Sequence, residues 1–256
     1  MGILNITPDS FYDGGKYTAP VVQLKQVERM ISEGASIIDI GAASTRPGAD
    51  LLSEKEELDR LLPCLTAVRS HFAEAVISVD TFRTPVAKAA IECGASMIND
   101  ICGGRYDNGM FDLVAGKNIP YIMMHMQGMP DTMQINPHYN DLIGEIRDFF
   151  RARLDLMPAG FTQVILDPGF GFGKTVEDNF RLLRHFESFH EFGYPLLAGL
   201  SRKSMINRVL KTKPSEALNG TSILNTVALL KGAHILRVHD VKEAVEAIKL
   251  VNTLEG

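Results

Sequence analysis

The chain of 256 residues has few cysteines, no long apolar run and no excess of basic residues, and each shortage removes a class of protein. Its three cysteines, Cys64, Cys93 and Cys102, are odd in number and match no zinc or redox spacing. They read as reduced thiols of a cytoplasmic protein rather than a disulfide framework. No stretch approaches the roughly 18 to 20 apolar residues that a membrane-spanning helix needs. A net charge of −5 speaks against a general nucleic-acid binder, because a phosphate-binding face makes a domain basic, but it leaves room for a small basic pocket. No pair among the seven histidines has zinc spacing with a third ligand at hand, and His71, His185 and His190 read as residues of solvated helices. No signal peptide is expected. Met1 leads straight into the apolar segment Met1-Gly-Ile-Leu-Asn5, an abrupt start that suggests a missing short N-terminal extension.

What is present is a regular alternation. Short apolar runs at 2–6, 36–40, 76–80, 96–99, 121–124, 164–167, 194–198 and 234–238 read as eight strands, apolar on both faces as in a buried parallel sheet. Helical spacing lies between them: Val21, Leu24, Val27 and Ile31; then Leu58, Leu61, Leu62 and Leu65 behind a capping box of Ser53 and Glu56; and finally Val241, Val245, Ile248 and Val251. Thr84-Pro85 reads as an N-cap followed by proline at the first helical position. Eight strand–helix units without a linker predict an α/β protein, a (β/α)8 TIM barrel forming a single domain over residues 1–256. A doubly wound open sheet is the alternative.

In such a barrel the site lies where the strands end. The ends carry Asn5, Asp39, Asp80, Asn99-Asp100, His125, Asp167, Ser201-Arg202-Lys203-Ser204 and Arg237-Val-His239-Asp240. Asp80, Asn99 and Asp167 offer acceptors, suited to a ligand edge rich in N–H donors. Arg46, Lys203, Arg237 and His239 offer donors, suited to an anion. One mouth therefore accommodates both an amidine-like heterocycle and a phosphate. An arginine ending a barrel strand sits partly buried and needs a partner. The run Gly169-Phe-Gly171-Phe-Gly173-Lys174-Thr175 imitates a P-loop, but Pro168 stands where the first glycine belongs, and Lys174 breaks the dinucleotide-binding pattern. Its glycines are read as letting backbone approach a flat ligand.

These motifs, taken in order, resemble dihydropteroate synthases along almost the whole chain. The run Gly2-Ile-Leu-Asn5-Ile-Thr-Pro-Asp-Ser-Phe11, continuing through Asp13-Gly-Gly, is similar to the family's first signature and first loop. The run Asp39-Ile-Gly…Ser44-Thr45-Arg46-Pro47-Gly48-Ala49 is similar to the second. Ser78-Val-Asp80-Thr, Ile98-Asn99-Asp100, Met124-His-Met-Gln-Gly128, Asp167-Pro-Gly-Phe-Gly-Phe-Gly-Lys-Thr175, Gly199-Leu-Ser-Arg-Lys203-Ser204 and Arg237-Val-His239-Asp-Val241 follow. There are two departures. Ala43 stands where many members carry glutamate, and the strand or hairpin that usually precedes the first signature is missing, which bears on the plugging of the barrel bottom.

The resemblance implies a transferase of folate biosynthesis joining 6-hydroxymethyl-7,8-dihydropterin diphosphate to p-aminobenzoate. Asp80, Asn99, Asp167, Lys203 and Arg237 are then expected to bind the pterin. Asn5, Thr45, Arg46, Arg237 and His239 are expected at the diphosphate, with Asn5 as ligand to Mg2+. Phe11, Pro47, Lys203 and Ser204 are expected to bind p-aminobenzoate. Asp80, Lys203, Arg237, Asp13 and Arg46 are expected to serve catalysis, the last pair by closing loops over the site. Homodimerisation, sensitivity to sulfonamides as p-aminobenzoate analogues, and no nucleic-acid or membrane partner are further expectations. Two rivals share the barrel: a methyltetrahydrofolate-dependent corrinoid methyltransferase domain and a non-catalytic pterin-binding paralogue. Thr-Pro-Asp-Ser-Phe and Ser-Arg-Lys-Ser favour the synthase over the first, and the presence of Arg46, Lys203 and His239 over the second.

Overall fold

The computed structural model describes residues 1–6, 19–42, 52–129, 132–133 and 135–255. Eight strands run among these residues: β1 (Gly2–Asn5), β2 (Ile37–Gly41), β3 (Val76–Asp80), β4 (Met97–Asp100), β5 (Tyr121–Met124), β6 (Val164–Asp167), β7 (Leu197–Ala198) and β8 (Ile235–Leu236). Strands β1 to β6 pair in chain order, and β7 pairs with β8, all in parallel. Two parallel bridges, Leu166 with Leu196 and Gly2 with Val238, join these sheets and close the ring. A doubly wound sheet would reverse its strand order at a switch point, and this one does not. The fold is a TIM barrel.

Helices α1 (Ala19–Ser32), α2 (Glu54–His71), α3 (Thr84–Glu92), α4 (Met110–Gly116), α5 (Leu142–Leu154) and α6 (Val176–Arg184) return the chain between successive strands. Helices α7 (Ser204–Leu210) and α8 (Leu218–Leu230) follow β7, and α9 (Val241–Glu255) follows β8. The capping box is formed: the Ser53 side chain accepts from the Glu56 N–H, and Glu56 accepts from the Ser53 N–H at 2.9 Å. The Thr84 cap is not. Thr84 is the first helical residue, Arg83 holds the cap position without a side-chain bond, and the Thr84 N–H is met by Asp107 at 3.2 Å. His71 and His185 end α2 and α6, and both are exposed, as is His190 in a 3-10 turn. No described helix is long and apolar enough to cross a membrane.

The two-residue period of a strand places the site. Ile38, Ile40, Ile77, Val79, Ile98, Tyr121, Met123, Val164 and Leu166 belong to the main core beneath the helices. Their neighbours point the other way, into the ring. Met97, Ile122, Ile165 and Leu197, with Ile37 and Ile235, form an apolar plug inside it. Two residues further along each strand, on that same inner face, stand Asp39, Asn99, Met124, Asp167 and Arg237, with Asp80 in register beside Asn99.

Candidate active site

The inner-face polar residues converge at the mouth of the barrel. Arg237 donates from Nε to Asp39 Oδ2 at 2.7 Å and from Nη2 to Asp80 Oδ2 at 2.9 Å. Asn99 donates to the same Asp39 oxygen at 3.2 Å. Burial lowers the pKa of Arg237, but Asp39 and Asp80 more than offset that, so it stays above its ordinary value. The arginine therefore has the partners its place at a strand end demands. Burial pushes Asp80 up to about 7 despite Arg237, with Asp39 adding repulsion. Asp167, also raised by burial, accepts the Gly169 N–H at 2.8 Å and feels Lys203 and Arg237 as nearby cations. Lys203 bonds the Phe170 carbonyl, and its Nζ lies 4.4 Å from the Phe172 ring centroid. Desolvation, opposed by Asp167 and reinforced by Arg237, lowers Lys203 to about 8.

Two loops on one side of the mouth are stapled together. Ser201 meets His239 Nδ1 at 2.9 Å and accepts the His239 N–H at 3.2 Å. Arg202, in a left-handed conformation (φ 56°), donates twice to Asp240, at 3.0 and 2.5 Å. Lys203 and Ser204 on one loop are thus fixed relative to Arg237 and His239 on the other. Ser204 is exposed at the start of α7, and Asn5 is exposed at the end of β1.

The structure thus brings Asp80, Asn99, Asp167, Lys203 and Arg237 into one constellation and sets Asn5, Ser204 and His239 at strand or helix ends around it. Phe11, Asp13, Thr45, Arg46 and Pro47 lie outside the described residues, as does Ala43. Asp39 is the member that sequence reasoning left without a role. β2 runs on to Gly41, so this carboxylate sits inside the ring, fully buried, as the acceptor that orients both Arg237 and Asn99. Its parity with Asn5, Asp80, Asn99, Asp167 and Arg237 on the inner face was the available signal.

Two other strand ends face away. Asp100, one residue from Asn99, takes the opposite side of the pleat. It accepts N–H groups from Cys102 (2.7 Å) and Gly104 (2.8 Å) and the Tyr121 hydroxyl (2.7 Å), as a loop brace. His125 is held by Lys174 at 3.0 Å. The glycine run packs closely against the loop that follows β5. A Cβ at Gly169 would lie 1.9 Å from the His125 carbonyl oxygen, and one at Gly173 would lie 2.6 Å from that of Gln127. Gly169 and Gly173 thus admit neighbouring backbone.

Fold and constellation together define a barrel enzyme whose mouth pairs buried acceptors with an arginine and a lysine. The comparisons specify it further. The profile of the pterin binding enzyme family matches residues 1–239. The dihydropteroate synthase of Escherichia coli (strain K12) is 45% identical over 254 residues, spanning 98% of this chain and 89% of that protein. The crystal structure of the Yersinia pestis dihydropteroate synthase with a sulfonamide drug complex superposes with a TM-score of 0.91 at 43% identity, covering 99% of this chain and 92% of that one. The Xanthomonas albilineans dihydropteroate synthase with 4-aminobenzoic acid gives 0.91 at 39% identity, covering 100% and 92%. The chain belongs to the pterin-binding enzymes and, within them, to the dihydropteroate synthases, which are transferases of folate biosynthesis.

Proposed function

We propose that this chain, acting as one barrel domain over residues 1–256, condenses 6-hydroxymethyl-7,8-dihydropterin diphosphate with p-aminobenzoate to give 7,8-dihydropteroate and diphosphate. The observation that carries the reading at residue level is the convergence of Asp80, Asn99 and Asp167 with Lys203 and Arg237. Asp167 accepts two N–H groups from the pyrimidine edge of the pterin, and Asn99 supplies a donor and an acceptor beside it. Lys203 donates to the ring carbonyl or a ring nitrogen. The planar guanidinium of Arg237 stacks on the ring and reaches a phosphate, a pair of tasks that lysine cannot combine. Asp80 stabilises positive charge developing on the ring.

Asn5, Thr45, Arg46, Arg237 and His239 receive the diphosphate. Among the described residues no group of three His, Cys, Asp or Glu side chains could hold a metal. Magnesium typically takes few protein ligands and completes its shell with phosphate oxygens and water, which suits a site on the exposed Asn5. Asn5 would hold the ion, which would supply positive charge to the departing diphosphate. The C–O bond breaks first, its electron pair leaving with diphosphate, and the aniline nitrogen then attacks the pterin methyl cation and loses a proton. Positional isotope exchange within the diphosphate in the absence of amine would reveal that order. Asp13 and Arg46 close over the cation and exclude water. Phe11 and Pro47 flank p-aminobenzoate, and Ser204 with Lys203 anchors its carboxylate. A sulfonamide occupies the same slot competitively.

The protein acts in the cytoplasm as a homodimer. Exposed Ile223, Leu230, Leu250 and Leu254 on α8 and α9 support an apolar contact with a second copy. The deciding experiment incubates the protein with the pterin diphosphate, p-aminobenzoate and magnesium and follows dihydropteroate by chromatography, with Lys203→Ala in parallel. Product from the wild type that collapses in the variant is expected. Pterin binding without product would favour a non-catalytic paralogue, and methyl transfer from methyltetrahydrofolate to a corrinoid would favour the other rival.

A further inference from the structure

The mechanism above gives no task to Lys174, a buried cation beside the pterin contacts. Lys174, 4% exposed, has no hydrogen bond or ion pair to a carboxylate among the described residues. Its ammonium instead meets three neutral acceptors: His125 Nδ1 at 3.0 Å, the Gly169 carbonyl at 2.9 Å and the Phe172 carbonyl at 3.1 Å. Burial, opposed by Asp167, lowers Lys174 to about 7; in its ammonium form it can only donate, so Nδ1 then accepts and the proton of neutral His125 sits on Nε2. The backbone groups of His125 itself and of Pro168 favour the charged form of the ring, but burial and the Lys174 charge outweigh them and keep the imidazole neutral.

The carbonyls that Lys174 holds belong to the turn carrying the pterin contacts. Gly169, whose oxygen Lys174 binds, gives its N–H to Asp167. Phe170, between the two held carbonyls, accepts from Lys203. Gly171 gives its N–H to Asn179 Oδ1 at 2.6 Å, and the Gly173 carbonyl receives the Tyr139 hydroxyl at 2.8 Å. Glycines 169, 171 and 173 all have positive φ, and the turn they shape brings the Gly169 and Phe172 carbonyls to one ammonium.

We infer that Lys174 and His125 act as a positioning pair, pinning the 167–173 turn from within so that Asp167 and Lys203 stand at the spacing the pterin edge requires. This rests on the pterin-binding reading given above. Neither residue touches substrate. Their loss loosens pterin recognition, which uses both Asp167 and Lys203, more than p-aminobenzoate binding, which shares only Lys203 with this turn.

The test uses the full chain with Lys174→Met, His125→Leu and His125→Gln. Glutamine keeps an acceptor for Lys174; leucine does not. Binding of the pterin diphosphate with magnesium is titrated, and KM is measured for both substrates. Expected for the methionine and leucine variants is pterin affinity weakened about tenfold or more, the scale of leaving buried groups unpaired. The KM for p-aminobenzoate should rise by less than that for the pterin, because only Lys203 is shared, and His125→Gln should recover most of the loss. A folded Lys174→Met or His125→Leu that binds pterin like the wild type overturns the inference, and so does an equal rise of both KM values. Should neither fold, nitrogen-15 spectra of wild-type His125 decide. A proton on Nε2 supports the pairing, and one on Nδ1 overturns it. A wild type that binds no pterin would instead overturn the functional reading on which the inference rests.

Discussion

Arg237 closes a bridge between two carboxylates on neighbouring strands, 2.7 Å from Asp39 on β2 and 2.9 Å from Asp80 on β3. Asp39 is fully buried and Asp80 nearly so, so neither carboxylate can turn to water instead. Lysine presents one nitrogen where two separated nitrogens are used. Arg237→Lys is expected to leave one carboxylate unpaired and to remove the stacking plane, lowering kcat/KM on the order of a hundredfold or more. Steady-state kinetics on both substrates would check this, and near-normal turnover would show that a point charge suffices.

The burial of Asp80 sets a pH dependence of stability that the bridge only partly offsets. Burial raises Asp80 from 3.8 to about 7 in the folded chain. A raised carboxyl means that the folded state holds a proton which the unfolded state has released. Asp80 therefore adds stability as the pH falls from about 7 towards 4, and that contribution is gone above 7. Asp80→Asn cannot titrate. Its midpoint of thermal unfolding should exceed that of the wild type by more at pH 8 than at pH 5, or fall short by less. An unchanged difference between the two proteins across that range would contradict the assignment.

Lys203 titrates in the opposite sense. Held at about 8 in the ligand-free enzyme, it loses its charge as the pH rises through that value. Because kcat/KM reports groups of the free enzyme, kcat/KM for the pterin diphosphate should decline above about pH 8. In Lys203→Arg, whose guanidinium stays protonated, that limb should disappear even though overall activity falls. A limb preserved in the arginine variant would assign it to another group.

Much of this arrangement was legible before the fold was seen. The strand–helix alternation implied the barrel, and five polar strand-end residues, Asp80, Asn99, Asp167, Lys203 and Arg237, do meet in one mouth. What escaped was parity and depth. Asp39 and Asp100 both read as polar strand ends, yet β2 extends two residues beyond Asp39, which turns inward, while Asp100 turns outward to brace its own loop. A slip of one residue at a strand end reverses the face, and short apolar runs leave that end undefined by a residue or two. Thr84 failed as a cap for a similar reason: the carboxylate that meets its N–H, Asp107, comes from a distant loop that no local pattern announces.

The glycine run offers a test in which conformation and contact can be separated. Gly169 and Gly160 have similar backbone angles, φ 75° and 84°. A Cβ at Gly160 would meet nothing within 4 Å, whereas one at Gly169 would stand 1.9 Å from the His125 carbonyl oxygen. Gly160→Ala therefore carries only the cost of a left-handed alanine, about 1 to 2 kcal/mol. Gly169→Ala adds a collision with backbone that cannot rotate away, for a total of about 3 kcal/mol or more. At roughly 2 to 4 °C per kcal/mol for a chain of this size, the two variants should unfold several degrees apart. Because the Gly169 N–H also holds Asp167, only Gly169→Ala should weaken pterin binding; Gly160→Ala, at a glycine with an open surround, should bind as the wild type does. Equal unfolding midpoints would mean that β5 and the turn can move apart, and that the close approach of Gly169 to His125 is not what fixes the turn.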